Sequence, residues 1–241
     1  MMKFLMITGC GHTGTTLLAR ILGVHSEIYN PPYETNMFLA YNTLKSEELL
    51  KSHFLDAKNA KKGCSVFLEK TPRHIWHVDC VKRVVPDARF LLMTRNGRDV
   101  IASLYERTEN IYESISRYKD DSLLTIRQLD AQSSLLIKYE DLIINPHLEL
   151  NKIVKFIDLK FESSMLNFHK DTVNWFNLDD TEKGTGIEGI EHDKLRNWQV
   201  NQPIFTNSKP WNERIPSEHW AKVDKFFEDC GNKIMSRLGY R

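Results

Sequence analysis

The chain has 241 residues, 41% hydrophobic and 27% charged, a globular composition with length enough for one α/β domain and its core. Its 33 Lys and Arg nearly cancel its 32 Asp and Glu, so no global field argues for nucleic acid or an anionic membrane surface, and any anion site has to be local. The opening MMKFLMIT lacks the apolar length and cleavage site of a signal peptide, no stretch is long and apolar enough for a membrane span, and Cys10, Cys64, Cys80 and Cys230 show neither metal-ligand pairing nor disulfide density, so the expectation is a cytoplasmic protein with reduced thiols and no metal.

Taken in chain order, apolar runs of strand length alternate with segments of helical period. Strands are predicted at Phe4 to Ile7, Val66 to Leu68, Arg89 to Met93 and Leu135 to Ile137, each short, continuously apolar and bounded by polar or turn residues, as strands buried on both faces are. Helices are predicted at Thr15 to Val24, Asn36 to Leu55, His74 to Val84, Asp99 to Arg107 and Asp141 to Phe156, with Pro31 and Pro32 breaking the chain before the second. The alternation implies an α/β fold, a doubly wound parallel sheet with helices on both faces. Phe161 to Pro216 reads as irregular, rich in Asn, Asp and Gly and carrying Trp175, Trp198 and Trp211; a closing helix with a serine cap is predicted for Ser217 to Leu238.

The first strand-to-helix turn is TGCGHTGTTLL, Thr8 to Leu18. It has the G-x-x-x-x-G spacing of a phosphate-binding loop, but Thr15 stands where a triphosphatase has its lysine. Gly9, Gly11 and Gly14 before a helix aim backbone N–H groups and the positive end of a helix dipole at one spot, which suits a dianion. The missing lysine argues against triphosphate hydrolysis and not against anion binding. A second pattern supports the first: Arg95 ends a predicted strand at the carboxyl edge of the sheet, Gly97 permits a turn, and Ser103 and Arg107 stand four apart on one helical face. A guanidinium fork and a hydroxyl suit phosphate, the plainer alternative being ion pairs of Arg95 and Arg107 with Asp99 and Glu106.

GCGHTGTTLL resembles the 5′-phosphosulfate loop of P-loop sulfotransferases. FLEKTPRHI, FLLMTRNGRDVIASLYER and IKYEDLIINP are similar to further blocks of that family in the same order, so the resemblance runs from residue 4 to about 146. It implies a single domain over 1–241, a nucleotide-binding core to about 157 and an irregular acceptor or lid region with its closing helix from about 158. It also implies metal-independent, in-line transfer of a sulfonate from 3′-phosphoadenosine 5′-phosphosulfate (PAPS) to a hydroxyl or amine, leaving adenosine 3′,5′-bisphosphate (PAP). Gly11, His12, Thr13, Gly14, Thr15 and Thr16 would take the 5′ end, and Arg95, Ser103 and Arg107 the 3′-phosphate. Tyr139 would lie near the nucleotide, and Lys183, Gly184 and Thr185 resemble a basic loop that closes over it.

Such a transfer needs a base for the acceptor, positive charge at the sulfonate and in-line placement. Glu34, in YNPPYETNMF, and Lys70, in LEKTPR, resemble the catalytic glutamate and lysine of the Golgi tyrosylprotein sulfotransferases; a helix-terminal carboxylate and a strand-end lysine are the plainer readings. The departure is His12, where family loops carry arginine or lysine: either it donates a proton or hydrogen bond to the bridging oxygen, the favoured expectation, or Lys70 and Arg73 supply the charge and His12 packs. The stretch Leu195 to Trp198 resembles a late Arg/Trp element of bacterial members, with no role assigned. A P-loop kinase or hydrolase and a catalytically silent nucleotide-binding module are the alternatives, and the acceptor is left open between small molecule, glycan and peptide.

Overall fold

The computed structural model describes residues 2–39, 43–175, 178, 183–185, 189–204 and 209–240. Five parallel strands form one sheet in the order β2-β3-β1-β4-β5: β1 (Lys3–Gly9), β2 (Ile28–Tyr29), β3 (Val66–Lys70), β4 (Arg89–Thr94) and β5 (Ser134–Lys138). The four predicted strands are all present, each extended by a residue or two at its ends. For β3 the extension matters, because it takes in Glu69 and Lys70.

Alternation along β1 divides the core. Leu5 and Ile7 face a layer built on Leu18, Leu22, Leu68, Leu91 and Ile137, while Phe4 and Met6 face Phe38, Phe67, Phe90 and Leu92. Helices α1 (Thr15–Gly23) and α7 (Pro146–Phe156) pack on the first layer, and α3 (Val78–Val84) on the second. A third cluster joins α4 (Gly97–Thr108), α5 (Ile111–Arg127) and the C-terminal helices α10 (Trp220–Phe226) and α11 (Asn232–Arg237).

Several predicted helices shift. The second, α2, runs Thr43–Ala60, because Glu34 to Asn36 is irregular and Met37 to Leu39 forms a turn, a segment held by hydrogen bonds described below. A six-residue 3₁₀ turn, Pro72–His77, precedes α3. The Asp141 to Phe156 segment divides at Asn145–Pro146 into α6 (Tyr139–Ile144) and α7, since proline lacks the N–H to continue a helix and constrains the residue before it. The region from Phe161 contains a 3₁₀ stretch, Ser163–Lys170, and two helices, α8 (Ile190–Val200) and α9 (Trp211–Arg214). Ser217 opens a short 3₁₀ turn with no side-chain cap, and the closing helix is α10 and α11 joined through a π turn at Phe227–Gly231. No helix among the described residues is long and apolar enough to cross a membrane.

Candidate active site

The loop after β1 is shaped by close approaches. Gly9 has φ 131, and a Cβ there would lie 2.4 Å from the Met93 carbonyl oxygen of β4, so only glycine lets the strands meet at this height. Gly14, at φ 90, caps α1, and its missing Cβ leaves room for the Tyr139 ring, which would otherwise lie 2.5 Å away. The Thr13 hydroxyl donates to the Cys10 carbonyl at 2.7 Å and closes the turn, while His12 adopts a left-handed φ of 67. Arg117, from α5, lies against Gly11.

Beside the loop opens a cavity of about 520 Å³. Its walls bring together the predicted residues His12, Gly14 and Thr16 from the loop, Arg95, Ser103 and Arg107 from β4 and α4, Tyr139 from the end of β5, and Lys183, Gly184 and Thr185 from the late segment. Gly11, Thr13 and Thr15 belong to the same loop without lining the cavity; Thr13 and Thr15 are buried. The Arg95 guanidinium lies 4.6 Å from the centre of the Tyr139 ring, and His12 Nδ1 is 2.9 Å from Ser103 Oγ, which ties the loop to α4. Glu106 pairs with Arg214 and not with Arg107, and no ion pair holds Arg95 or Arg107 among the described residues. The ion-pair alternative for the two arginines therefore does not hold. Five buried polar atoms around this site lack a partner among the described residues: His12 Nε2, Thr15 Oγ1, Arg95 Nε, Arg107 Nε and Arg214 Nη1.

Glu34 and Lys70 meet at the carboxyl end of β3. Lys70 Nζ donates to Glu34 Oε1 at 2.7 Å; the lysine side chain is fully buried and the glutamate 31% exposed, so the carboxylate is the member that solvent or a second substrate can reach. Lys70 Nζ also lies 5.0 Å from the Trp175 ring centre. Burial pushes the Lys70 ammonium below its ordinary value, with Glu34 opposing and Arg196 reinforcing the shift. Glu34 precedes α2 by nine residues, which removes the helix-terminus reading.

A network that the sequence reading did not anticipate fixes the Glu34 segment. Glu69, adjacent to Lys70 and so on the opposite face of β3, accepts hydrogen bonds from Thr35 at 2.9 Å and Thr71 at 2.6 Å, and from His74 Nδ1 at 2.9 Å. The Phe38 N–H donates to His74 Nε2 at 3.3 Å, which assigns the imidazole proton to Nδ1. Burial alone would raise the Glu69 carboxyl, but His74, Thr71 and Thr35 hold it below its ordinary value.

Two further differences concern charge. His12 is driven well below the ordinary histidine range by burial and by Arg196, Arg117, His192 and Arg107, which favours its neutral form near pH 7; of the expected roles, a hydrogen bond from the imidazole fits that form better than a full proton transfer. Arg196, which the sequence left without a role, lines the cavity half-buried, and its guanidinium donates to the Thr16 hydroxyl. Its signal was hidden in a segment read as irregular.

Fold and site together define a parallel α/β protein with a basic anion pocket at the carboxyl edge of its sheet, at the loop after β1. Residues 41–163 match the Sulfotransferase family, and the chain belongs to it: it is an enzyme that transfers sulfonate groups. It is 21% identical over 272 residues to protein-tyrosine sulfotransferase A of Caenorhabditis elegans, covering 98% of this chain and 67% of the relative. Its fold is similar to that of the sulfotransferase domain from the curacin biosynthetic pathway (TM-score 0.63, 15% identity, 100% of this chain and 99% of the other) and of a mouse sulfotransferase complexed with PAP (TM-score 0.58, 15% identity, 98% and 89%). Family membership sets aside the kinase and silent-module alternatives.

Proposed function

We propose that this sulfotransferase takes its sulfonate from PAPS, with the 5′ end of the nucleotide at the loop, its 3′-phosphate at Arg95, Ser103 and Arg107, and Glu34 as the base for a hydroxyl acceptor. The observation that carries the reading is the set of buried atoms without a partner among the described residues: a hydroxyl at the loop and guanidinium N–H groups from β4 and α4, grouped around one cavity. Buried donors are seldom left unmade, and a nucleotide with a phosphate at each end supplies acceptors for both groups. The PAP in the mouse structure supports this donor.

When bound, PAPS supplies the sulfonate and a phosphate leaving group. The protein does the rest by placement. Tyr139 and Gly14 shape the wall that Arg95 stacks upon, and the His12–Ser103 contact keeps loop and α4 in register. Lys70 holds one oxygen of Glu34, leaving Oε2 without a protein partner among the described residues and able to accept a proton from an acceptor hydroxyl. The relatives named as protein-tyrosine sulfotransferases favour a peptide tyrosine as that hydroxyl.

Calorimetry without magnesium tests the donor site. PAP should bind the wild type, and Arg95→Ala should weaken it tenfold or more, a charge-assisted contact of about 1.5–3 kcal/mol. Affinity for adenosine 5′-phosphate should barely change; equal losses for both nucleotides would remove Arg95 from the 3′-phosphate.

A further inference from the structure

We propose that Arg196, on α8, is the cation that meets the transferring sulfonate, in place of any charge from the loop itself; the assignment rests on the PAPS reading above. The loop has no charge of its own to offer: position 15 is threonine, and His12 is neutral and engaged with Ser103. The Lys70 ammonium faces Glu34 at 2.7 Å, and Arg95 and Arg107 belong to the β4–α4 side with Ser103. Arg196 reaches the first turn of α1, where its guanidinium donates to the Thr16 hydroxyl.

Three features mark it as a ligand group rather than a structural one. It is half-buried in the cavity wall, yet no carboxylate lies within ion-pair distance of it among the described residues; a partly desolvated guanidinium without a counter-ion carries a cost that an anion at the loop would offset. Glu34 and Asp193 are the acids whose fields reach it, and Arg107 and Arg117 oppose them, so the neighbourhood has room for added negative charge. Finally, its helix is held in place. Asn197 accepts the Trp175 N–H at 2.7 Å, Asn201 exchanges hydrogen bonds of 2.9 Å with Val173 in both directions, and Val200 is buried in the core layer over α1. Trp175 in turn lies over Lys70, so one short segment sets both cations.

In the transfer, the bond from the acceptor oxygen to sulfur forms as the bond from sulfur to the bridging oxygen breaks; the acceptor proton goes to Glu34 and the electron pair remains on the bridging oxygen. Arg196 donates N–H groups to the charge that collects there and on the sulfonate. It stays protonated despite partial burial, as arginine does in proteins.

The test compares PAPS, which carries the sulfonate, with PAP, which does not. Calorimetry without magnesium on Arg196→Met should show PAPS affinity lower by tenfold or more and PAP affinity lower by less than threefold. Arg196→Lys, which keeps a charge and guards against a folding defect, should hold PAPS within about threefold of wild type. Adding His12→Arg to Arg196→Met should recover PAPS affinity by returning charge to the loop. An equal loss for both nucleotides, or unchanged PAPS binding in Arg196→Met, overturns the assignment while leaving the donor reading intact. A wild type that binds neither nucleotide overturns both.

Discussion

Two buried polar clusters flank the end of β3, one on each face, and their hydrogen bonding differs. On the Glu69 side every partner is internal: Thr35, Thr71 and His74 donate to the carboxylate, and Phe38 donates to His74. On the Lys70 side cations crowd together, with Lys70 held by Glu34, Arg196 in the fields of Glu34 and Asp193 and Arg107 in that of Asp193, and five polar atoms around the cavity have no protein partner among the described residues. Adjacent residues of one strand thus serve opposite purposes. A closed network fixes shape, whereas an open cationic one is completed by an anionic ligand.

The comparison is broken most severely at Glu34, which joins the two: its backbone segment is anchored by the closed cluster and its carboxylate belongs to the open one. Glu34→Gln keeps shape but cannot take a proton, so transfer to an acceptor, followed with labelled PAPS, should slow by about 10²–10⁴-fold while PAP affinity and melting temperature stay near wild type. Turnover close to wild type would remove Glu34 as the base.

Next in size is Glu69→Ala. It strands the His74, Thr35 and Thr71 donors in the core, for a loss of about 2–4 kcal/mol. In a chain of this length that is about 4–16 °C in melting temperature, readable by thermal unfolding. Arg95→Ala, which opens nothing that was closed, should leave the melting temperature almost unmoved. Equal thermal effects for the two substitutions would erase the distinction between the clusters.

The same distinction explains what could be read from sequence. The anion side was legible because its chemistry is tied to local pattern: glycines at fixed spacing, an arginine at a strand end, a serine and an arginine four apart. The strands were legible because their apolar runs are continuous. Helix α5 was missed because, although Ile111, Ile115, Tyr118 and Ile126 recur at helical spacing, its buried face also carries Ser114, Asp121, Ser122 and Thr125, polar side chains that dilute the apolar stripe. Glu69 was missed because its partners lie two, five and 34 residues away, and no periodicity reports that. Arg196 was missed for a similar reason, as α8 gains its place from Asn197 and Asn201 rather than from an apolar stripe. The Asn36 start predicted for α2 failed because Thr35, Asn36 and Phe38 are engaged by the closed cluster and cannot begin a helix there.

The smallest effect concerns His12, which belongs to the open side yet is uncharged. Its folded-state value lies well below the ordinary histidine value of about 6.5, chiefly through burial and then through Arg196, so the unfolded chain binds a proton that the folded chain refuses. The sign follows: this contribution is fully present above about pH 6.5 and is lost as pH falls toward the folded value. Glu69 has the same sign but acts only below the carboxylate range, so the two separate along the pH axis. Thermal unfolding between pH 7 and 5 should show stability falling with acidity, and His12→Asn, whose amide can hydrogen-bond Ser103 in either direction and which tolerates a left-handed φ, should reduce that slope. The transfer rate, in contrast, should not decline as pH rises through 6.5, because no imidazolium is lost there. A decline that His12→Asn abolishes would restore His12 as a proton donor and place a charged group in the loop after all.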